Sequence, residues 1–274
     1  MPVVLITGCS SGIGRALANS FKGAGFDVWA TARRPQDVEQ LNAAGFQGRA
    51  LDVNDENAVG QLLSDIEQYS GNLDVLINNA GYGAMGPLLD LDTEALGRQF
   101  QTNVFALVAV TRASLPLLRR SRGQVVNIGS VSGLVVTPFA GAYCASKAAV
   151  HAISDALRLE LAPFGIRVME VQPGAIASRF ADSASAEAEQ VIATGSAWWP
   201  VREHIRARAR ASQGNPTAAV EVAERILAAV QQSVPPSRVR VGNGCRVLPM
   251  LARWVPKGLL EWGLRRAFGL NRSL

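Results

Sequence analysis

Cysteine is scarce in this sequence, and the number of cysteines is odd. Cys9, Cys144 and Cys245 are the three thiols in 274 residues, and their spacings match no metal-binding pattern. The first strand-like run begins at Val3, which leaves no room for a targeting segment before it. Unpatterned thiols argue against a disulfide-stabilised secreted protein. We therefore expect reduced cysteines, no bound metal and a cytoplasmic location.

Long apolar runs, internal repeats and low-complexity linkers are also missing. No apolar run approaches the ~20 residues that a helix needs to span a bilayer. Apolar residues nevertheless make up 48% of the chain, which is enough for a sizeable core and too much for a disordered protein. The length fits one large α/β domain, so we expect a single domain over residues 1–274.

The net charge of +5 is unevenly distributed along the chain. From Arg202 onward there are 13 basic and 4 acidic residues, whereas the preceding part carries a small excess of acid. A basic C-terminal segment of this kind suits solubility, an anionic substrate, an anionic membrane surface or nucleic acid. Because no nucleic-acid-reading motif accompanies the charge, we predict no nucleic-acid partner.

Apolar runs of strand type alternate with helical patterns along most of the chain. The strand-type runs are residues 3–6, 27–31, 48–51, 73–77, 124–129, 165–171 and 238–241. Such alternation is typical of right-handed βαβ units. It predicts an α/β fold with a doubly wound parallel sheet of about seven strands and helices on both faces.

A glycine-rich turn joins the first strand to the first helical pattern. Gly8, Gly12 and Gly14 follow a G-x-x-x-G-x-G spacing there. Glycines let the backbone approach a pyrophosphate closely, and the free N–H groups of a helix N-terminus favour its charge. The spacing differs from the commoner G-x-G-x-x-G fingerprint, but its position between strand and helix predicts dinucleotide binding.

The second strand ends without the acidic residue that binds the ribose 2′-hydroxyl of NAD. Ala32 occupies that place, and Arg33 and Arg34 follow it. A guanidinium group binds the 2′-phosphate of NADP through charge-assisted hydrogen bonds, whereas a carboxylate repels it. We therefore predict NADP(H) as the cofactor, with Arg33 at its phosphate and Arg34 solvated.

Polar residues and glycines follow three other predicted strands. Asp52 and Val53 end the third strand, residues 78–81 (Asn-Asn-Ala-Gly) the fourth, and residues 172–178 the sixth. In a doubly wound sheet these strand ends face the ligand crevice. Asn103 lies inside a long helical stretch, where an asparagine is either a buried structural amide or part of a site.

One segment places three reactive side chains around a strand end and a helix start. Ser130 follows the fifth strand, and Tyr143 and Lys147 lie four residues apart, so they share one helical face. A phenol normally titrates near pH ~10, and a neighbouring cation favours the phenolate. We therefore expect Lys147 to lower the pKa of Tyr143. Such a phenol beside a hydroxyl suits proton transfer to or from an alcohol or carbonyl oxygen.

Two segments outside the alternating pattern are predicted to be helical. Residues 179–214 indicate a substrate lid of short helices, in which Arg202, Arg206 and Arg210 form a basic stripe. The stripe is either solvated or in contact with an anionic substrate. Residues 246–274 indicate a basic amphipathic helix pair broken by a proline. We expect the pair to pack on its own domain or on a second subunit; the alternative is an anionic membrane.

Together these motifs resemble those of the short-chain dehydrogenases/reductases of single-domain type. The resemblance covers about the first 180 residues and rests on the glycine turn, residues 78–81, Asn103, Ser130, Tyr143-x-x-x-Lys147 and Pro173-Gly174. Residues 30–33 and 79–83 and the long C-terminus are similar to the hydroxysteroid and retinol dehydrogenase branch. The resemblance implies a Rossmann-type fold and hydride transfer between NADP(H) and a mostly apolar ketone or alcohol, such as a steroid, retinoid or lipid.

The resemblance also implies a role for each residue of the site. Tyr143 is the general acid or base, Lys147 holds the nicotinamide ribose and lowers the pKa of the phenol, and Ser130 hydrogen-bonds the substrate oxygen. Asn103 holds a water that links Lys147 to solvent. The implied cofactor-binding residues are Gly8, Ser10, Ser11, Gly12, Ile13, Gly14, Arg33, Asp52, Val53, Asn79, Ala80, Gly81, Tyr143, Lys147, Pro173, Gly174, Ile176 and Ser178.

Two other functions stay open at this point. One is a reductase of carrier-bound 3-oxoacyl groups, in which the basic lid meets an acidic carrier. The other is a dinucleotide-binding regulator without catalysis, against which the joint presence of Ser130, Tyr143 and Lys147 argues. Family members form dimers or tetramers through the helices that here contain Asn103 and Tyr143. Because the C-terminal segment would block one such interface, we expect a homodimer.

Overall fold

Within residues 1–273, which the computed structural model describes, seven parallel strands form one sheet. The strands are β1 (Val3–Ile6), β2 (Asp27–Ala32), β3 (Gln47–Ala50), β4 (Val75–Asn78), β5 (Gln124–Ile128), β6 (Arg167–Pro173) and β7 (Arg238–Val241). Their spatial order is β3-β2-β1-β4-β5-β6-β7. The predicted doubly wound α/β sheet of Rossmann type is confirmed, and its order reverses between β1 and β4, where such folds bind ligands.

Helices connect the strands and cover both faces of the sheet. They are α1 (Gly12–Gly23), α2 (Pro35–Ala43), α3 (Glu56–Ser70), α4 (Thr93–Phe100), α5 (Ala106–Ser121), α6 (Gly141–Leu161), α7 (Phe180–Val191), α8 (Arg202–Ala209), α9 (Ala219–Val230), α10 (Val247–Trp254) and α11 (Lys257–Ala267). A π-helical turn, Gln101–Phe105, joins α4 to α5. No helix in the described chain is long and apolar enough to cross a membrane.

Each face of the sheet is packed against its own apolar cluster because side chains alternate along a strand. Val4 and Ile6 of β1 pack with residues of α1 and α9. Val3 and Leu5 pack on the opposite face with residues of α3 and α5. Burial on both faces explains why the central strands are continuous apolar runs. The resulting rigid layer fixes the strand ends at which the site is built.

The lid and the C-terminal helices lie above the carboxyl edge of the sheet. The lid consists of α7, α8 and short 3₁₀ turns, as predicted, and its inner side packs around Tyr143. Phe268 and Leu270, which directly follow α11, pack against this lid cluster. Trp254 and Trp262 are 74% and 60% exposed. The outer face of this pair is therefore exposed on the single chain, and the expectation that the pair packs on its own domain or on a second subunit stays a prediction.

Candidate active site

A cavity of about 1030 Å³ opens between the carboxyl ends of the strands and the lid. It is lined by Ser130 and by every residue to which the sequence assigned cofactor contact, from the glycine turn to Ser178. Asn103 is the predicted site residue that does not line it. The structure therefore brings together segments separated by as much as 170 positions in the chain.

The glycine turn forms a cradle that side chains would fill. A Cβ on Gly14 would lie 2.2 Å from the carbonyl oxygen of Gly8, and Gly8 has a φ of +74°. Asn79 fixes the turn, since its Nδ2 donates to the carbonyl oxygens of Thr7 and Gly8, each at 2.9 Å. Among the described residues, no side chain caps α1 and no acid occupies its first turn. The free N–H groups suit a pyrophosphate.

The arginine pair after β2 is split between two roles. Arg34 forms two hydrogen bonds with Asp37, at 2.8 and 3.1 Å, and these hold the pKa of Asp37 below its usual range. The interpretation of Arg34 as merely solvated is therefore wrong. Arg33 lines the cavity and makes no hydrogen bond or ion pair with the part of the chain described. Because Arg34 neutralises Asp37, Arg33 leaves this end of the cavity positive.

Tyr143 and Lys147 occupy the first turns of α6 with their side chains turned into the cavity. They are 8% and 7% exposed, and Lys147 Nζ lies 5.9 Å from the centroid of the Tyr143 ring. The same Nζ donates a hydrogen bond of 2.8 Å to the carbonyl oxygen of Ile128 at the end of β5. Ser130 follows that strand end, where its Oγ accepts a bond of 3.1 Å from Ser132 N.

Burial dominates the pKa of the phenol in this geometry, and the expectation that Lys147 lowers that pKa stays a prediction. Burial raises the pKa of Tyr143 above its ordinary value, and the opposing groups are the Ser130 hydroxyl and the charge of Arg208. Burial also lowers the pKa of Lys147 itself, to about 8. The phenol is consequently protonated at neutral pH, which is the state that a proton donor requires.

Asn103 braces the loop behind Lys147 rather than facing the cavity. It sits in the π-helical turn and is 2% exposed. Its Oδ1 accepts a bond from Tyr82 N at 3.1 Å, and its Nδ2 donates to Tyr82 O and to Ser146 Oγ. A Cβ on Gly81 would meet Asn103 Oδ1 at 3.0 Å and Lys147 Nζ at 3.9 Å. The contacts favour the structural interpretation of this amide, and its water-holding role stays a prediction.

The lid closes the cavity with residues that the sequence analysis did not single out. The Phe180 ring lies 5.3 Å from that of Tyr143, and Arg208 Nε donates a bond of 2.7 Å to Thr137 Oγ1. Both Phe180 and Arg208 line the cavity. A phenylalanine and an arginine in a lid carry no motif, so the sequence offers no signal that selects them.

The predicted basic stripe of α8 is turned away from the cavity. Arg202 lies over the Trp199 ring at 4.5 Å, and Arg206 forms a bidentate pair with Glu189 at 2.7 and 2.9 Å. Neither these residues nor Arg210 line the cavity. The suggestion that the stripe contacts an anionic substrate is therefore wrong, and Arg208, outside the stripe, is the arginine of this helix that reaches the site.

Known proteins of similar sequence indicate the family of this chain. The pattern of the family described as short chain dehydrogenase matches residues 2–189. The chain is 38% identical over 205 residues to the NADPH-dependent 1-acyldihydroxyacetone phosphate reductase of Schizosaccharomyces pombe, covering 74% of this chain and 69% of that protein. It is 33% identical over 273 residues to the 3-ketodihydrosphingosine reductase of Bacteroides thetaiotaomicron, covering 98% of each.

A solved structure gives the same result over nearly the whole length. The short-chain dehydrogenase from Streptomyces avermitilis superimposes with a TM-score of 0.81 at 30% identity, covering 96% of each chain. The protein therefore belongs to the short-chain dehydrogenases, as its motifs predicted.

Proposed function

We propose that the protein is an NADP(H)-dependent oxidoreductase acting on the carbonyl or alcohol carbon of a mostly apolar substrate. One observation carries this proposal: Ser130, Tyr143 and Lys147 share a single cavity with the glycine turn. When bound there, the nicotinamide supplies or accepts the hydride. The chain's own residues bind the substrate and the cofactor, orient them and exchange the proton with the substrate oxygen.

Three features support the choice of cofactor. The cradle of the glycine turn and the open N-terminus of α1 suit the pyrophosphate. Arg33 follows β2, where a 2′-phosphate would be held, and it has no ion-pair partner among residues 1–273. The relative in Schizosaccharomyces pombe is NADPH-dependent by name. Lys147 would hold the nicotinamide ribose hydroxyls, because its Nζ is anchored at the end of β5.

The protonation state of the phenol indicates which group supplies the proton of the reaction. Tyr143 donates its proton to the carbonyl oxygen as the carbonyl carbon is reduced, and Ser130 donates a hydrogen bond to the same oxygen as negative charge develops. Burial keeps the pKa of Tyr143 high, which favours the donor over the base at neutral pH. We therefore propose carbonyl reduction as the direction that this site performs better.

The walls of the cavity support an apolar substrate. Met85, Val135, Phe180, Leu248 and Phe268 line the cavity, and three of them, Met85, Phe180 and Phe268, belong to the apolar cluster that contains Tyr143. The two relatives described above are named as reductases of 1-acyldihydroxyacetone phosphate and of 3-ketodihydrosphingosine. These names support a ketone-bearing lipid as the substrate class here. A carrier-bound 3-oxoacyl group has less support, because Arg202 and Arg206 of the lid are engaged by neighbouring side chains.

The C-terminal helices support a peripheral contact with an anionic membrane. Leu251, Trp254, Leu259 and Trp262 are exposed on α10 and α11, and basic residues greatly outnumber the single acid, Glu261, in this segment. An exposed apolar face with flanking cations suits anionic lipid headgroups.

Two further proposals concern assembly and location. We keep the homodimer through α5 and α6 as a separate proposal. The three buried free thiols support a reducing compartment such as the cytoplasm.

The absorbance of NADPH, followed with a panel of free ketones and alcohols, tests the proposal. We expect ketone-dependent oxidation of NADPH with a lower rate from NADH. Arg33→Ala is expected to weaken NADPH binding by about 30-fold, as for the loss of a charge-assisted hydrogen bond, with NADH binding unchanged. Equal losses for both cofactors would exclude the role of Arg33. Absence of turnover with every ketone, despite NADPH binding, would favour the regulator.

A further inference from the structure

Arg208 is placed on the inner side of the lid. It belongs to α8 together with the buried Ile205 and Ala209, which share its face of the helix. Its Nε donates to Thr137 Oγ1 at 2.7 Å. Thr137 lies in the loop before α6, so the guanidinium is held against the segment that leads to Tyr143.

Arg208 has no counter-ion in the described part of the chain. Arg206, two residues before it, pairs with Glu189 and Glu203, whereas no carboxylate lies within the 4.0 Å limit of an ion pair with Arg208. Asp182 lines the same cavity without pairing with it. The bond from Nε to Thr137 is the one hydrogen bond of this side chain to residues 1–273. Its two terminal nitrogens therefore remain available for a ligand.

A cation in this position is costly unless something binds it. The surrounding cluster is apolar and includes Phe139, Tyr143, Cys144 and Ile205. Burial lowers the pKa of Arg208, but a guanidinium group does not lose its proton in proteins. A charge withdrawn from water is destabilising until it is paired and hydrogen-bonded. The planar group with two free nitrogens matches a carboxylate or phosphate in a bidentate geometry.

Arg179, and not Arg208, is the lid arginine that is bonded to the glycine turn. At the other end of the lid, Arg179 Nη2 donates to Ser10 O at 3.0 Å, beside the glycine turn. Arg208 instead lies close enough to Tyr143 for its charge to lower the pKa of the phenol. The two lid arginines therefore face different ends of the cavity, and Arg208 faces the reacting group.

We propose that Arg208 binds an anionic group, a carboxylate or a phosphate, that the substrate carries close to its reacting carbonyl. The proposal rests on the proposed function and narrows it, because it selects anionic ketones from the wider class of apolar ones. Its specificity comes from a partly buried guanidinium group, which a neutral ketone leaves unpaired.

The test compares an anionic ketone with its neutral methyl ester and with a second ketone that carries a phosphate. The substrates are 3-oxooctanoate, its methyl ester and the phosphate ester of 1-hydroxyoctan-2-one. The rate of reduction of each is measured at saturating NADPH with four proteins: the wild type, Arg208→Gln, Arg208→Lys and Arg210→Gln. Arg210 is the matched control, because it is exposed, follows α8 directly and does not line the cavity. The two anionic ketones distinguish a carboxylate site from a phosphate site.

We expect the wild type to prefer at least one anionic ketone over the ester. Arg208→Gln should lower kcat/KM for that ketone by about 30-fold, mostly through KM, since a charge-assisted hydrogen bond in a partly buried site is lost. The same variant should lower kcat/KM for the ester far less. Arg208→Lys should recover part of the loss in kcat/KM for the anionic ketone, and Arg210→Gln should have the kcat/KM of the wild type. The affinity for NADPH, measured by fluorescence, should not change in Arg208→Gln.

Three outcomes would overturn the inference. They are equal losses for the ester and the anions, a wild type without preference for either anion, and weaker NADPH binding in Arg208→Gln. If no ketone is reduced at all, the proposed function fails separately. The inference is then judged by calorimetric titration of the NADP-loaded protein with octanoate and octyl phosphate: binding that Arg208→Gln abolishes supports it, and binding that this variant leaves intact overturns it.

Discussion

A phenol and an amine, both withdrawn from water, define the chemistry of the site at the scale of single residues. Tyr143→Phe removes the proton donor while keeping the ring that packs against Phe180. We expect kcat to fall by about 10²–10⁴, the usual contribution of general acid catalysis, with NADPH affinity nearly unchanged. Steady-state rates and a fluorescence titration measure the two quantities.

The matched control for this substitution is Tyr69→Phe. Tyr69 is an exposed phenol on α3, outside the cavity, and its loss should leave the rate unaltered. If Tyr143→Phe retained full turnover, the phenol would have no part in the mechanism.

Burial of the Lys147 amine leads to a prediction about how the free energy of unfolding depends on pH. Burial lowers the pKa of Lys147 from 10.5 to about 8, so between these pH values the unfolded chain binds more protons than the folded chain. The free energy of unfolding of the wild type therefore rises with pH across this interval. Below pH 8 the charged amine destabilises the fold by about 3 kcal/mol, since each pKa unit corresponds to about 1.4 kcal/mol.

Lys147→Met should consequently stabilise the protein while abolishing its activity. Loss of the hydrogen bond to Ile128 O offsets about 1–2 kcal/mol of the gain, which leaves about 1–2 kcal/mol at pH 7. Urea unfolding at pH 7 and pH 10 measures the difference. A difference that is the same at both pH values would show that Lys147 is not the titrating group.

At the scale of elements, short strands bounded by turn residues were the most predictable features. β1 and β7 were predicted to the residue, because β1 is a short apolar run and β7 alternates arginine and valine, and each has a clear end. The sequence is less clear at α9, because Pro216 followed by Thr217 is typical of a helix start and predicts a helix from Pro216 onward. Thr217 instead forms a parallel bridge with Ile176, a tertiary contact that delays the helix to Ala219.

The rotation of an element about its own axis was much harder to predict. The sequence places arginines at 202, 206 and 210 on one helical face and therefore favours them over Arg208. Which face of α8 meets the cavity depends on how the lid docks, and periodicity alone does not encode this docking. The pairing of Arg34 with Asp37 was missed for a related reason, because it depends on the cap geometry at the start of α2.

The exposed face of the C-terminal helices leads to a prediction about membrane binding. Replacing Trp254 and Trp262 together with serine should reduce co-sedimentation with vesicles that contain anionic lipid, because the exposed apolar face is lost. Reduction of a water-soluble ketone should persist, since neither tryptophan lines the cavity.

Val234→Ser serves as the control for these substitutions, because Val234 is equally exposed but lies in the loop between α9 and β7. Equal sedimentation of the wild type with neutral and anionic vesicles would contradict a role for the basic residues. No sedimentation with either would exclude membrane contact and leave a second copy as the partner of this face.

At the scale of the whole molecule, the three free thiols report on the integrity of the fold. Cys9, Cys144 and Cys245 are all buried, and burial raises the pKa of Cys9 to about 12 and that of Cys144 above its usual value. Because the thiolate is the reactive form, we expect the folded protein to react slowly with a disulfide reagent at neutral pH. Denaturant should expose all three thiols at once.

The absorbance of the released thiolate counts the reacting groups over time. A burst of one thiol before denaturant is added would show that part of the core opens independently. Cys144 would be the residue to examine first, since it lies beside Tyr143 under the lid.

Leu248 and Phe268 belong to the cavity wall and also to the C-terminal segment whose other side is exposed. If that exposed side binds a bilayer, as proposed, a ketone dissolved in one leaflet meets the entrance of the cavity without first entering bulk water. Turnover would then follow the amount of substrate per unit of lipid area, and diluting the substrate with inert lipid at constant total concentration would slow the reaction.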